Sequence, residues 1–581
     1  MYNQQQRGGQ QRGRGGAAYN YDYGDSTGRY HTGDPTRDLA YERGEAQPPP
    51  VDGPAYSGPP QQQHQGGGGG RGGGGGQASI PEEVCAYLRY FQKCLHDKSV
   101  MEIHNLYEYG FPELTERYFR EKYWPNVDAV ARVVGDDDNL FLMLYTELYY
   151  RYIYAKIQRG PNLDTRIKSY QNYCNLFFVF LDEDIKKPTD LILPNSWLWD
   201  IIDEFIYQFQ SFCLYKANPS KHTPADVEGF MEYGGDVWPL YPVLNILYSL
   251  VEKSNIQHQL RAINIGKDPN DYADDFGMHP LYRNLGYFSL IGLLRLHVLL
   301  GDYHQALKVV ENIQMDAQGT FNTVPICFVT LHYLLGFTHM VLRNYSEAIR
   351  LFVNCLTYVQ RTKNTHQQSQ KPYQYDVISK TNEQLYHLLS ICMVLQPQRI
   401  DESVHSQLVE RFADRMARMQ RGELGDFEAA FSAGCPKFIA PAEHANVTGG
   451  PNAHKEPVNQ QVRVFMDEME HLILVPILRG YLKQYTTMPI DKLAKFRDID
   501  PEDLYNQLLC FKHKLHESLE RDENVDEDTS ADLDFYIDRD MIHIADTKVG
   551  RRVGEYFVKH IVKLMELNRN LKKMKPRLMQ K

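Results

Sequence analysis

Tyr485-Thr486-Thr487-Met488-Pro489-Ile490 opens the stretch that decides the fold, and Phe535-Tyr536-Ile537-Asp538-Arg539-Asp540-Met541-Ile542-His543-Ile544 closes it. After the opening string, Ile490, Leu493 and Phe496 recur at helical spacing. Pro501 follows at a favoured first-turn position, with Asp500 ready to cap and Glu502 and Asp503 suited to the helix dipole. Leu504, Leu508, Phe511 and Leu515 carry that second helix. The closing string is two β-rich runs around a polar turn, Asp538-Arg539-Asp540, which predicts a hairpin. Helix, helix, hairpin is the order of a winged helix, assigned to residues 476–547.

Upstream, helical patterns run from Ile80 to about Arg421. The strongest begins at Asn195, where Leu198, Ile202, Phe205, Phe209 and Phe212 form an apolar stripe with Asp200, Asp203, Glu204 and Gln208 on the other side. Gly301-Asp302-Tyr303-x-x-Ala306 matches Arg343-Asn344-Tyr345-x-x-Ala348 at an offset of 42 residues. His297 and His339, Leu300 and Leu342, and Val310 and Phe352 follow the same shift. A turn, a Tyr and a small residue where two helices cross is the logic of a tetratricopeptide-like hairpin. Such hairpins cover one another's apolar faces, so a solenoid is expected. The paired histidines fit packing better than ligation. The domain reading is an N-terminal tail at 1–79, helical repeats at 80–280, and TPR-like repeats at 281–475. Within it, the Gly-, Pro-, Ala- and Asn-rich residues 422–460 read as a long loop. Helical character resumes at Gln461, and Pro476 breaks or kinks it.

Downstream, residues 548–581 form a bundling helix and basic tail, with helix predicted over Val549–Met574. Phe557, Ile561, Leu564, Leu571 and Met574 share one stripe, with Lys559, Lys563, Arg569 and Lys572 off it. A helix of this length exceeds what a small winged helix can cover. Its seam is therefore expected to meet helices of other chains. The competing reading folds it back on its own repeats. Ile542 and Ile544 are expected to pair with a partner through the strand edges of the wing.

Charge is uneven along the 581 residues, whose net is −11. Glu520 to Asp534 carries −7 and Thr547 to Lys581 carries +9, so an acidic partner or RNA suits only the end. The first 79 residues are Gln-, Gly- and Arg-rich and too poor in apolar groups to form a core, so they are read as disordered. Arg7, Arg12, Arg14 and Arg71 lie in Arg-Gly runs of the kind that contact RNA weakly. The tail's charge is balanced, which favours a flexible solubilising role. Nine scattered cysteines without a Cys-x-x-Cys pair argue for reduced thiols and against structural zinc. No long apolar run and no apolar signal core are present, so a soluble cytoplasmic protein without membrane contact is expected.

Searching for chemistry yields no catalytic residues, cofactor or metal site. There is no Walker A sequence, H-E-x-x-H or G-x-S-x-G. Asp540, His543 and Asp546 invite a triad, but the sequence places no nucleophile beside them; an ordinary wing histidine is the better reading. The acidic start of the second winged-helix helix opposes phosphate, which disfavours sequence-specific DNA reading.

Helical repeats capped by a winged helix and a bundling helix resemble the PCI domain shared by the proteasome lid, the signalosome and translation initiation factor 3. Longer strings narrow this. Leu193-Pro194-Asn195-Ser196-Trp197-Leu198-Trp199-Asp200 and its continuation to Phe212 resemble the subunit L family of eukaryotic translation initiation factor 3. So do His31-Thr32-Gly33-Asp34-Pro35, Asp38-Leu39-Ala40-Tyr41-Glu42-Arg43, Tyr485 to Pro489, and Ile537 to Lys548. The resemblance implies a mostly α, non-catalytic scaffold of a complex that assembles on the small ribosomal subunit and recruits mRNA. It implies subunits K and E as neighbours. The Arg-Gly-rich beginning and the insertion between about Gly44 and Ser79 depart from the family. The alternatives are an RNA-binding module using the Arg-Gly tail and basic C-terminus, or a PCI scaffold of the proteasome-lid or signalosome type.

Overall fold

A computed structural model describes residues from 80 onward, apart from 121, 136–137, 157–159, 183–185, 233–236, 316–319, 369–371, 441–452, 473–480, 482–483, 498, 521–533, 546 and 579–581. The described chain is mostly helical, with one small three-stranded sheet. It divides into two compact units. The first holds residues up to Tyr215, Pro219–Ser254 and Asp274–Leu285; the second holds Lys216–Asn218, Asn255–Ala273 and Gly286 onward.

In the first unit, helix α1 (Glu82–His96) is followed by short helices and then by α2 (Asn139–Lys156), α3 (Leu163–Leu181), α4 (Asn195–Lys216) and α5 (Leu240–Lys253). The periodicity of α4 places Leu198, Ile202, Phe205, Phe209 and Phe212 in the core as expected. Its polar side departs from a solvated face: Glu204 and Gln208 are buried as well. For Gln208 and the neighbouring Asp200, other helices supply polar partners around a charged centre at Glu147 and Arg151. Arg151 Nε donates to Glu147 Oε1 at 3.0 Å, and Tyr173 Oη donates to the same oxygen at 3.2 Å. Trp197 Nε1 lies 3.4 Å from Glu147 Oε2. Arg151 also reaches Asp200 at 3.6 Å, and Tyr107 donates to Asp200 while its ring stacks on Trp197. Ser169 donates to Gln208 Oε1. The buried Glu147 carboxylate is tolerated because it is paired with Arg151 and hydrogen-bonded.

The second unit continues through α6 (Pro280–Leu300) from Gly286 on, then α7 (Tyr303–Val310), α8 (Pro325–Val341), α9 (Tyr345–Gln368), α10 (Pro372–Leu395) and α11 (Glu402–Arg421). The 42-residue repeat recurs in the backbone. Gly301 and Arg343 both take positive φ, +80° and +69°. Asp302 N–H reaches His297 O at 2.9 Å, and Asn344 N–H reaches His339 O at 2.8 Å. Each corner is the same left-handed helix stop. Asp302 and Asn344 then cap the next helix, accepting from Gln305 N and Glu347 N at 3.3 Å each. Ala306 and Ala348 are fully buried where the helices cross. His297 is buried with Asp302 3.5 Å away, and burial holds its pKa below the usual histidine range.

Residues 422–460 are not one loop. Helix α12 (Leu424–Gly434) buries Phe427, Ala430, Phe431 and Gly434, a helical stripe hidden among small residues. A Cβ on Gly434 would meet Leu388 at 2.8 Å, so its smallness serves close packing. Helix α13 (Glu456–Leu472) begins five residues before Gln461. It touches both repeat corners. Tyr303 Oη donates to Gln461 at 2.8 Å and Arg343 pairs with Glu468 at 3.0 Å, seven residues or about two turns apart. Pro476 lies outside the described residues.

The winged helix follows as β1 (Thr487–Pro489), α14 (Ile490–Arg497), α15 (Pro501–Glu520), β2 (Asp534–Asp538) and β3 (Met541–Ala545). The sheet order is β1-β3-β2, antiparallel throughout. Its core joins Met488, Ile490, Leu493, Leu504, Leu508, Phe511, Phe535 and Ile542. Glu502 N bonds Asp500 Oδ2 at 3.3 Å, the cap expected before Pro501. The wing turn docks onto the first helix through Ile490 N to Asp540 O, 2.9 Å.

Candidate partner-docking surface

Helix α16 (Thr547–Leu578) is longer than its predicted span and measures about 48 Å at 1.5 Å per residue. The expected seam is exposed. Phe557, Ile561, Leu564 and Leu571 keep 59%, 49%, 64% and 63% of their surface. Val562, Met565 and Leu567 beside them are exposed too. The described side chains from Tyr556 to Leu571 are all exposed, including Lys559, Lys563 and Arg569. Scattered surface leucines are ordinary, but a helical row of large apolar groups is not. Among the described residues, the seam from Phe557 to Leu571 is exposed. The side chain of Met574 lies outside the described residues.

The wing isoleucines fare differently. Ile542 is wholly buried against α14 and α15 core residues, and Ile544 is half-buried on the same inner face. Strand β3 is central, with β1 and β2 on its two sides, so neither residue lies on a free edge. The expectation that they meet a partner is corrected: side-chain alternation shows a strand's buried face but not its place in the sheet. The outer strands are β1 and β2.

His543 stacks on Tyr536 across the β2–β3 pair, centroids 4.9 Å apart and rings 10° from parallel. Asp540 belongs to the turn, and Asp546 lies outside the described residues, as do Arg7, Arg12, Arg14 and Arg71. Among the described residues, no helix is long and apolar enough to cross a membrane.

What sequence reading missed is the buried polar group around α4. Burial pushes the Glu204 carboxyl up to about 8, against the opposing pull of Arg151. Asp200 is raised to about 7 by burial. Arg166 Nη1 donates to Ser211 Oγ at 3.0 Å and its guanidinium lies over the Tyr215 ring. The Asp200–Glu204–Gln208 spacing of four was a visible signal that these groups share one face.

The second unit is thus a helical-repeat module that leads into a winged helix and then a long helix with an exposed apolar seam, the class of helical-repeat and winged-helix proteins. A family model described as "Paf67: RNA polymerase I-associated factor PAF67" matches residues 165–564. Eukaryotic translation initiation factor 3 subunit L of Brugia malayi is 52% identical over 564 residues, covering 94% of this chain and 97% of its own. The protein of that name from Caenorhabditis elegans is 51% identical over 505 residues, covering 85% and 93%. That of Danio rerio is 45% identical over 570 residues, covering 94% and 93%. The chain belongs to the family of eukaryotic translation initiation factor 3 subunit L.

Proposed function

We propose that the chain is a non-catalytic scaffold subunit of eukaryotic translation initiation factor 3, acting in the cytoplasm in assembly of the small-subunit pre-initiation complex and mRNA recruitment. The observation that carries this reading is the exposed seam of α16. A row of large apolar side chains is stable in water only at a cost, which a matching helix removes. Subunits K and E are the proposed neighbours, and the small ribosomal subunit is the surface on which the assembly acts.

The test replaces Phe557, Ile561 and Leu564 together with Asp and follows co-purification with the other subunits. The expected result is loss from the complex with an unchanged melting transition, because these side chains are mostly exposed. Retention at native stoichiometry would overturn the reading.

A second reading, RNA binding, is favoured by the +9 charge from Thr547 to Lys581 and the exposed Lys559, Lys563 and Arg569. It requires a steep loss of RNA affinity with added salt in filter binding. A flat salt dependence removes it.

A further inference from the structure

The outward face of the wing carries a second, smaller surface. Strand alternation puts Phe535, Ile542 and Met488 inward, and Tyr536, Asp538, Met541, His543, Thr487 and Pro489 outward. The register aligns Thr487, His543 and Tyr536 in one row across all three strands. In that row the Tyr536 and His543 rings are stacked nearly parallel, face to face, and Tyr536 is 55% exposed. Each ring turns one π-face to the other, so the stack ends on an aromatic face that a further planar group can extend.

Two planar groups suit such a platform, a nucleobase and a guanidinium. The surrounding charge decides between them. Asp538 shares the outward face one row on, and Asp540 follows in the turn; both are exposed. Arg539 is the basic residue of that turn, whereas Lys512 is turned away and donates to Phe535 O. Nucleic-acid affinity depends on several cations lining the phosphate path, and here carboxylates stand in their place. A guanidinium gains both terms, stacking on the rings and ion pairing with the carboxylates.

We propose that the outer face of the wing is a docking site for an arginine-bearing extended peptide of Arg-Gly type. One arginine stacks on the Tyr536–His543 pair and is held by Asp538, while glycine lets the peptide backbone lie close to the sheet. The site is independent of the apolar seam on α16.

The experiment titrates full-length protein into a fluorescein-labelled peptide of repeated Gly-Arg-Gly-Gly and reads anisotropy. Expected are saturable binding and at least tenfold weaker binding of the Gly-Lys-Gly-Gly counterpart, since an ammonium carries the charge without the plane. Tyr536→Ala and Asp538→Asn should each weaken binding about fivefold or more, and Tyr536→Phe should retain it, which separates lost stacking from lost folding. The triple Asp variant of α16 should bind like the parent. No binding, equal binding of the lysine peptide, or indifference to Tyr536→Ala overturns the proposal. So does an oligouridylate that binds more tightly than the arginine peptide and loses affinity in Tyr536→Ala, which would assign the platform to RNA.

Discussion

Glu204 is enclosed in the folded protein with its Oε2 atom lacking a hydrogen-bond partner, and burial is why its carboxyl holds a proton up to about pH 8. The sign follows from linkage. The folded pKa lies above the ordinary value of 4.5, so the contribution is fully present below that value and is lost as pH rises towards 8. Chemical denaturation of the protein should therefore show the first unit weakening over this window, by an amount on the order of a few kcal/mol. Glu204→Gln, which keeps the shape and cannot ionise, should make the profile shallower, leaving the part that Asp200, also raised by burial, contributes. His387 in the second unit works in the opposite direction. Burial and the nearby Arg415 depress it to about 4, so its share of stability is present above 6.5 and lost as pH falls. Arg539 offers a further single-residue test. It sits at φ +52° without being glycine, at a cost of about 1–2 kcal/mol. Arg539→Gly should raise the denaturant midpoint of the winged helix. The polar triplet Asp538-Arg539-Asp540 made the turn legible; its handedness was not, because left-handed positions usually announce themselves with Gly or Asn.

Among elements, the repeat was the most legible feature because an offset of 42 residues preserved chemistry at each structural role. Gly301 and Arg343 show how far this goes: the two side chains have nothing in common, yet both occupy the same left-handed corner. The repeat also exchanges volume between helices. Leu294 and Val310 of the first copy become Gly336 and Phe352 in the second. A Cβ on Gly336 would come within 2.4 Å of the Phe352 ring. Gly336→Ala should cost about 1–3 kcal/mol, and adding Phe352→Leu should restore at least half, as read by denaturant midpoints. Other elements escaped for definite reasons. Helix α12 was hidden because its glycines and the proline- and asparagine-rich residues after it outweighed its helix-favouring alanines, while the value of Gly434 lies in letting Leu388 approach. The polar side of α4 looked solvated because Glu147, Arg151, Arg166 and Ser169, its neighbours, sit on other helices. For the wing, composition revealed the strands, but β1, only three residues long, was needed to show that β3 lies in the middle.

For the molecule as a whole, the sequence already separated the parts that bury themselves from the part that does not. The core residues of the repeats and winged helix are closed, whereas the described side chains of α16 from Tyr556 to Leu571 face outward. Removing residues 547–581 should leave the melting transition of the remainder in place while abolishing co-purification with other subunits. A shifted transition would mean that the helix supports its own fold. The open seam also carries a consequence for supply. Copies made in excess of their companions would present the same greasy row to chaperones, proteases and each other, so matched synthesis of the companions becomes a condition for this chain to persist.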